Sequence, residues 1–139
     1  MKKSGLAACD TGPLVAILDK NDEMHKVCAS VIRNIQPPML TVWPVLTEAA
    51  YILSHRNASM EPLLHMVENR FLRLARLGPN EAARMRLLIR KYSDLPMDLA
   101  DAALVAACER ENVSKIFTID YRDFSLYRPR HTSHFEFVR

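Results

Sequence analysis

The chain has 139 residues, 49% of them apolar, 25% charged and 7% aromatic, an ordinary globular composition that excludes collagen-like, disordered and low-complexity architectures. At about 100 to 200 residues per domain, the length predicts one domain over residues 1–139, with a core large enough to need no disulfide or structural metal. The net charge of +3, from 19 Lys and Arg against 16 Asp and Glu, is by itself too small to point to a nucleic-acid partner.

Residues 4–9 form a short apolar run that reads as a strand ending at Asp10. Thr11-Gly12-Pro13 then opens a helix through Leu18, with proline near its first position. Asp22 is placed to cap a second helix, in which Val27, Cys28, Val31, Ile32 and Ile35 recur at helical spacing until Pro37-Pro38 stops it. Met39 to Trp43 reads as a second strand, and Pro44 begins a helix through His55. Residues 60–76 place Leu63, Leu64, Val67, Phe71 and Ala75 on one stripe. After Gly78-Pro79 another helix shows Ala82, Met85, Ile89 and Tyr92, so residues 60–92 are expected to form a protruding helical hairpin. Asp98 to Glu111 is an alanine-rich helix, Lys115 to Ile119 a third strand, and Phe135 to Val138 a further strand. Strands separated by helices imply crossover connections. The expected fold class is therefore α/β, a mainly parallel sheet of four to five strands with helices on both faces.

Three cysteines, Cys9, Cys28 and Cys108, are odd in number and far apart, and fit neither a disulfide framework nor a metal-binding pair. They read as buried thiols in a reducing compartment. The apolar stretch Gly5 to Cys9 is too short for a signal peptide, and no run approaches the roughly 18 residues that span a bilayer. A soluble, cytoplasmic protein without a membrane partner is expected.

In an open parallel sheet, ligands bind outside the carboxyl ends of the strands. The residues at those positions here are acidic. Asp10 ends the first strand, Glu48 lies early in the helix after the second, and Asp120 follows the third, while Asp98 and Asp101 share one face of the helix leading into it. Four or five carboxylates brought together repel one another, and a divalent cation relieves the repulsion. Mg²⁺ or Mn²⁺ suits such hard oxygen donors and would activate water for phosphodiester hydrolysis, without a protein nucleophile. No Gly-rich phosphate loop suggests an NTPase.

Four segments in this order resemble PIN-domain ribonucleases, most closely the VapC-like toxins of bacterial type II toxin-antitoxin systems. They are Asp10 to Leu18 with His25 following, Thr47-Glu48-Ala49, Leu99 to Ala107 around Asp101, and Phe117-Thr118-Ile119-Asp120-Tyr121-Arg122-Asp123-Phe124. The resemblance implies a PIN-like fold and a metal-dependent endoribonuclease acting on single-stranded RNA, with Asp10, Glu48, Asp101 and Asp120 as the acidic quartet. It implies Asp10 and Asp101 as direct ligands of Mg²⁺ or Mn²⁺, and Glu48 and Asp120 as second-site or water-mediated ligands. Thr11 and Thr118 match supporting hydroxyl positions. A homodimer and a small antitoxin partner are also implied. A catalytically silent RNA-binding or scaffolding module and a DNA-directed nuclease are the alternatives to be tested.

Each residue also has a plainer reading. Asp98 stands where an N-cap would, three residues before Asp101, and that role is favoured over metal binding. Asp123 could support the site, but closing a turn is favoured for it; His25 is read as a packing or capping residue, and Trp43 and Phe124 as core or rim. The basic groups are unevenly spread: residues 70–91 hold Arg70, Arg73, Arg76, Arg84, Arg86, Arg90 and Lys91 against Glu81 alone. These arginines suit either a phosphate-contacting rim or a dimer interface, and the sequence does not separate the two. The mild total charge is thus the residue of a basic stretch set against acidic strand ends.

Overall fold

The computed structural model describes residues 6–139. Five strands form one parallel sheet: β1 (Ala7–Cys9), β2 (Met39–Thr41), β3 (Leu72–Leu74), β4 (Lys115–Phe117) and β5 (Glu136–Phe137), in the order β3-β2-β1-β4-β5. Ala8 pairs with Leu40 on one side of β1 and with Ile116 on the other. Successive side chains of a strand point to opposite faces. All three residues of β1 and all three of β2 are nevertheless buried, so both faces of the central sheet are covered. Edge strand β5 is not, and its Glu136 is exposed. Of the strand predicted over 4–9, Ser4 and Gly5 lie outside the described residues.

The helices are α1 (Thr11–Leu18), α2 (His25–Ile32), α3 (Trp43–His55), α4 (Glu61–Glu68), α5 (Pro79–Lys91), α6 (Leu99–Glu111) and α7 (Tyr121–Leu126). Within α6 every residue from Ala102 to Cys108 is buried, nearly two full turns, so this helix is covered on all sides. Its alanines let α5 and α3 approach closely, and it shares one core with Leu46, Leu53, Leu88 and Ile116. Cys9, Cys28 and Cys108 are free and buried.

The expected helical hairpin over 60–92 is corrected to helix, strand, helix. Helix α4 stops at Glu68, Arg70 takes a left-handed φ of 66°, and the Asn69 side chain accepts the Phe71 N–H at 3.0 Å. The chain then extends through Leu72-Arg73-Leu74, which pairs with β2 and supplies the fifth strand. A 3.6-residue stripe drawn through Leu63 to Ala75 was therefore two patterns in succession, and a turn at Asn69-Arg70 separates them. In α5 the buried position is Leu88, while Ile89 is 37% exposed, a one-residue error in the predicted face.

Smaller corrections share one cause, that helix termini are decided by hydrogen bonds around them. Trp43 opens α3 instead of ending β2. Helix α2 begins at His25, because Asp22 bonds the Met24 N–H in a turn before it, and ends at Ile32, so Ile35 is buried outside the helix and Val27 is exposed. Residues 121–126, read as a turn around Asp123, form α7.

Candidate metal and nuclease site

The chain winds from β1 through β2 to β3 on one side of the sheet and then crosses to β4 on the other side of β1. That reversal opens a crevice at the carboxyl ends of β1 and β4. Asp10 follows β1 directly and Thr118 follows β4, and the two meet there. Asp10 is an N-cap residue by position, yet its side chain makes no capping bond to α1. It accepts a hydrogen bond from Thr118 Oγ1 at 2.8 Å instead. Thr118 Oγ1 also accepts the Asp120 backbone N–H at 2.9 Å, so one buried hydroxyl ties two of the predicted carboxylate positions together. Thr11 Oγ1 donates to Glu48 Oε1 at 2.7 Å, which joins α1 to α3.

On the other bank, Asp98 caps α6 by accepting the Asp101 N–H at 2.8 Å, the role favoured for it from sequence. Asp101 sits in the first turn of α6 and Asp120 caps α7, accepting the Asp123 N–H at 3.2 Å. Carboxylate oxygens of Asp101, Asp120 and Asp123 lie within 4.8 Å of one another. Asp123 therefore does more than close a turn: the turn it closes brings its own carboxylate into the cluster.

The electrostatics are those of a crowded acidic pocket. Burial pushes the Asp10 carboxyl up to about 6, and the charges of Glu48 and Asp120 add to the shift against the opposing bond from Thr118. Asp101 is pushed up to about 8, first by burial and then by Asp10, with smaller contributions from Asp98 and Asp120. Asp120 is raised by burial and by Asp123. All three carboxyls thus hold a proton more tightly than a free carboxyl does, and positive charge brought to the pocket would oppose the shift.

The PIN domain profile matches residues 7–128. The chain belongs to the PIN domain family. It is 28% identical over 123 residues to Ribonuclease VapC26 of Mycobacterium tuberculosis, covering 86% of this chain and 90% of that protein. In fold it is similar to the crystal structure of Mycobacterium tuberculosis VapC20, described as a sarcin-ricin loop cleaving toxin, with a TM-score of 0.72 and 15% identity over 84% of this chain and 93% of that one. It is also similar to VapBC2 from Rickettsia felis bound to a DNA fragment from their promoter, with a TM-score of 0.60 and 14% identity over 95% and 98% of the two chains.

In this PIN domain one residue of the pocket was invisible to sequence reasoning. Tyr127 is buried, and its hydroxyl donates to Asp101 Oδ2 at 2.7 Å. Nothing in the residue type or its spacing marks it, because the contact bridges 26 residues. The arginines separate into two groups. Arg84 makes a paired contact with Glu109, Nε to Oε1 and Nη2 to Oε2 both at 2.8 Å, and Arg73 lies 3.5 Å from Glu111, so both are engaged with α6. Arg70, Arg76 and Arg86 are exposed. Arg70 precedes β3 and so lies at the sheet edge opposite the carboxylates. His25 Nδ1 contacts the Ala16 carbonyl at 2.7 Å, a packing role.

Proposed function

We propose that this PIN domain is a divalent-metal-dependent endoribonuclease that cleaves single-stranded RNA, and that it is the toxin of a type II toxin-antitoxin pair. The observation that carries the nuclease reading is the convergence of Asp10, Asp101, Asp120 and Asp123 at the strand crossover of a PIN fold. Their donor set is all carboxylate oxygen, three of the groups lie within 4.8 Å, and burial with mutual repulsion raises the proton affinity of Asp10, Asp101 and Asp120. That chemistry fits Mg²⁺ or Mn²⁺. Asp10 and Asp101 would hold the ion, with Glu48 and Asp120 as second-site or water-mediated ligands and Asp123 beside Asp101 and Asp120. Bound there, a divalent cation supplies Lewis acidity toward water and toward the phosphate of the scissile bond.

The chain's own residues prepare that pocket. Thr118 fixes Asp10 and the start of α7, Thr11 fixes Glu48, and Asp98 holds the backbone of Asp101. No histidine stands among these carboxylates in the described hydrogen bonds, which supports water activation without an imidazole base. Purified protein is expected to cut single-stranded RNA in Mg²⁺ or Mn²⁺ and to leave a matched DNA strand intact. Asp101→Asn is expected to abolish cutting with the fold retained by circular dichroism. Cleavage that persists in chelator would refute the assignment.

The toxin reading rests on the likeness to VapC26 and to the VapBC2 assembly. It includes a small antitoxin partner and action in the cytoplasm; no helix among the described residues is long and apolar enough to cross a membrane. Induced expression should arrest growth, and co-expression of the small reading frame next to the gene should restore it. A homodimer belongs to the same proposal, supported by exposed Trp43, Tyr51 and Leu99 around one hollow and Trp43, Met60 and Leu64 around another. Light scattering that shows a monomer at micromolar concentration would remove the dimer and leave the enzyme.

A further inference from the structure

Tyr127 is fully buried, and a buried phenol needs a partner for its hydroxyl. The partner here is a carboxylate: the hydroxyl donates to Asp101 Oδ2 at 2.7 Å, and among the described residues no side-chain donor reaches Asp101 Oδ1. The ring has little room to move. It packs edge-on against Tyr92 and against Phe124, each with centroids 5.1 Å away, and Phe124 packs in turn on Phe135. The Tyr92 hydroxyl, by contrast, bonds no carboxylate and accepts the Arg128 backbone N–H at 2.7 Å.

The same segment carries two of the other carboxylates. Asp120 caps the first turn of α7, Asp123 lies within that turn, and the Tyr127 N–H donates to the Asp123 carbonyl at the far end. Residues 120–127 therefore supply two carboxylates and the donor for a third as one short, hydrogen-bonded unit. Asp101 has Asp10, Asp98 and Asp120 as acidic neighbours, so an untethered side chain would turn away from them in the absence of a cation. A donor on one oxygen prevents that rotation and leaves the other oxygen in place.

We propose that Tyr127 is a positioning residue of the metal site, its hydroxyl holding Asp101 in the one orientation that presents a free oxygen to a divalent cation. This rests on the reading of the carboxylate cluster as a metal site. Groups that orient a metal ligand in this way typically contribute 10- to 100-fold to metal affinity.

Calorimetric titration of Mn²⁺ into the whole protein tests it, with wild type, Tyr127→Phe, Tyr92→Phe and Asp101→Asn compared. Tyr127→Phe keeps the ring packing and is expected to weaken Mn²⁺ binding by about 10- to 100-fold, with the Mn²⁺ dependence of RNA cleavage displaced by the same factor and kcat at saturating Mn²⁺ largely restored. Tyr92→Phe loses a comparable buried hydroxyl one step removed from the carboxylates and should bind Mn²⁺ as wild type does. Mn²⁺ affinity in Tyr127→Phe within about twofold of wild type would overturn the proposal even if its thermal stability fell, and so would an equal loss in Tyr92→Phe. Loss of Mn²⁺ binding in Asp101→Asn with Tyr127→Phe unaffected rejects the positioning role alone. A wild-type protein that takes up no Mn²⁺ rejects the metal site and the positioning role together.

Discussion

Replacing Asp10 by Asn should make the metal-free protein more stable while it destroys cleavage. The Asp10 carboxyl is raised from an ordinary 3.8 to about 6, chiefly by burial. Its folded-state pKa lies above the unfolded value, so the contribution of this group to stability is fully present below about pH 4 and is lost as pH rises through about 6. At about 1.4 kcal/mol per pH unit, the folded state is disfavoured by about 3 kcal/mol at pH 8 and by only about 0.5 kcal/mol at pH 4. Asparagine carries no charge and removes that penalty, against roughly 1 kcal/mol for a less favourable bond with Thr118. The net gain at pH 8 is about 2 kcal/mol, or roughly 5 to 8 °C in Tm for a chain of this size. Thermal unfolding of both proteins in chelator, at pH 4 to 8, measures it as a difference; relief of Asp101, which the Asp10 charge also raises, adds to the gain in the same direction. Saturating Mn²⁺ should then stabilise wild type and leave the variant unchanged. An Asn variant less stable than wild type at pH 8, or an advantage that does not shrink toward pH 4, would refute the reasoning.

Three further predictions follow from contacts around the pocket. Thr118→Val keeps the side-chain shape but removes the donor to Asp10 and the acceptor for the Asp120 N–H; it should cost about 1 to 3 kcal/mol in urea unfolding, with cleavage down on the order of tenfold. Gly12→Ala would set a Cβ 2.6 Å from Ile119 Cγ1 and 2.9 Å from its Cδ1, next to Thr118 and Asp120. The variant should lose about 1 to 3 kcal/mol, and Ile119→Ala in the same chain should recover part of it, whereas simple additivity would show that the contact is not the cause. Arg84→Met should be costly because it strands a largely buried Glu109, while the double variant Arg84→Met with Glu109→Gln should lose less than the two single losses together by about 1 to 3 kcal/mol. Coupling below about 0.5 kcal/mol in that cycle would reduce the pair to a surface contact.

The stretches most legible in the sequence were those where one physical constraint acted alone. Ala7-Ala8-Cys9 ran straight into Asp10, and Lys115-Ile116-Phe117 into Thr118, because a short buried strand must be apolar and its carboxyl end is free to be polar. Asp98 could be read as a cap because capping is a three-residue interaction. Legibility failed where two patterns abutted. The stripe from Leu63 to Ala75 joined α4 to β3, since Phe71 and Ala75 continue the i, i+4 spacing of Leu63 and Val67 while Leu72 and Leu74 alternate as in a strand, and only pairing with Met39 and Thr41 chose the strand. For Asp123 the sequence left a turn and a reach into the site both open, because α7 is six residues long, below the length at which periodicity speaks.

By itself the sequence determined the α/β class, the positions of Asp10, Glu48, Asp101 and Asp120 relative to their strands and helices, and the contrast between a basic stretch and acidic strand ends. These depend on neighbours in the chain, where spacing is geometry. The tertiary structure alone decided which carboxylates meet, that Asp98 turns to its helix while Asp123 joins the cluster, that Arg84 is occupied by Glu109, and that Tyr127 holds Asp101. Each of those is a contact between different elements of the chain or a choice between two partners for one group, and such a choice is settled by how the elements pack around the crossover of β1 and β4.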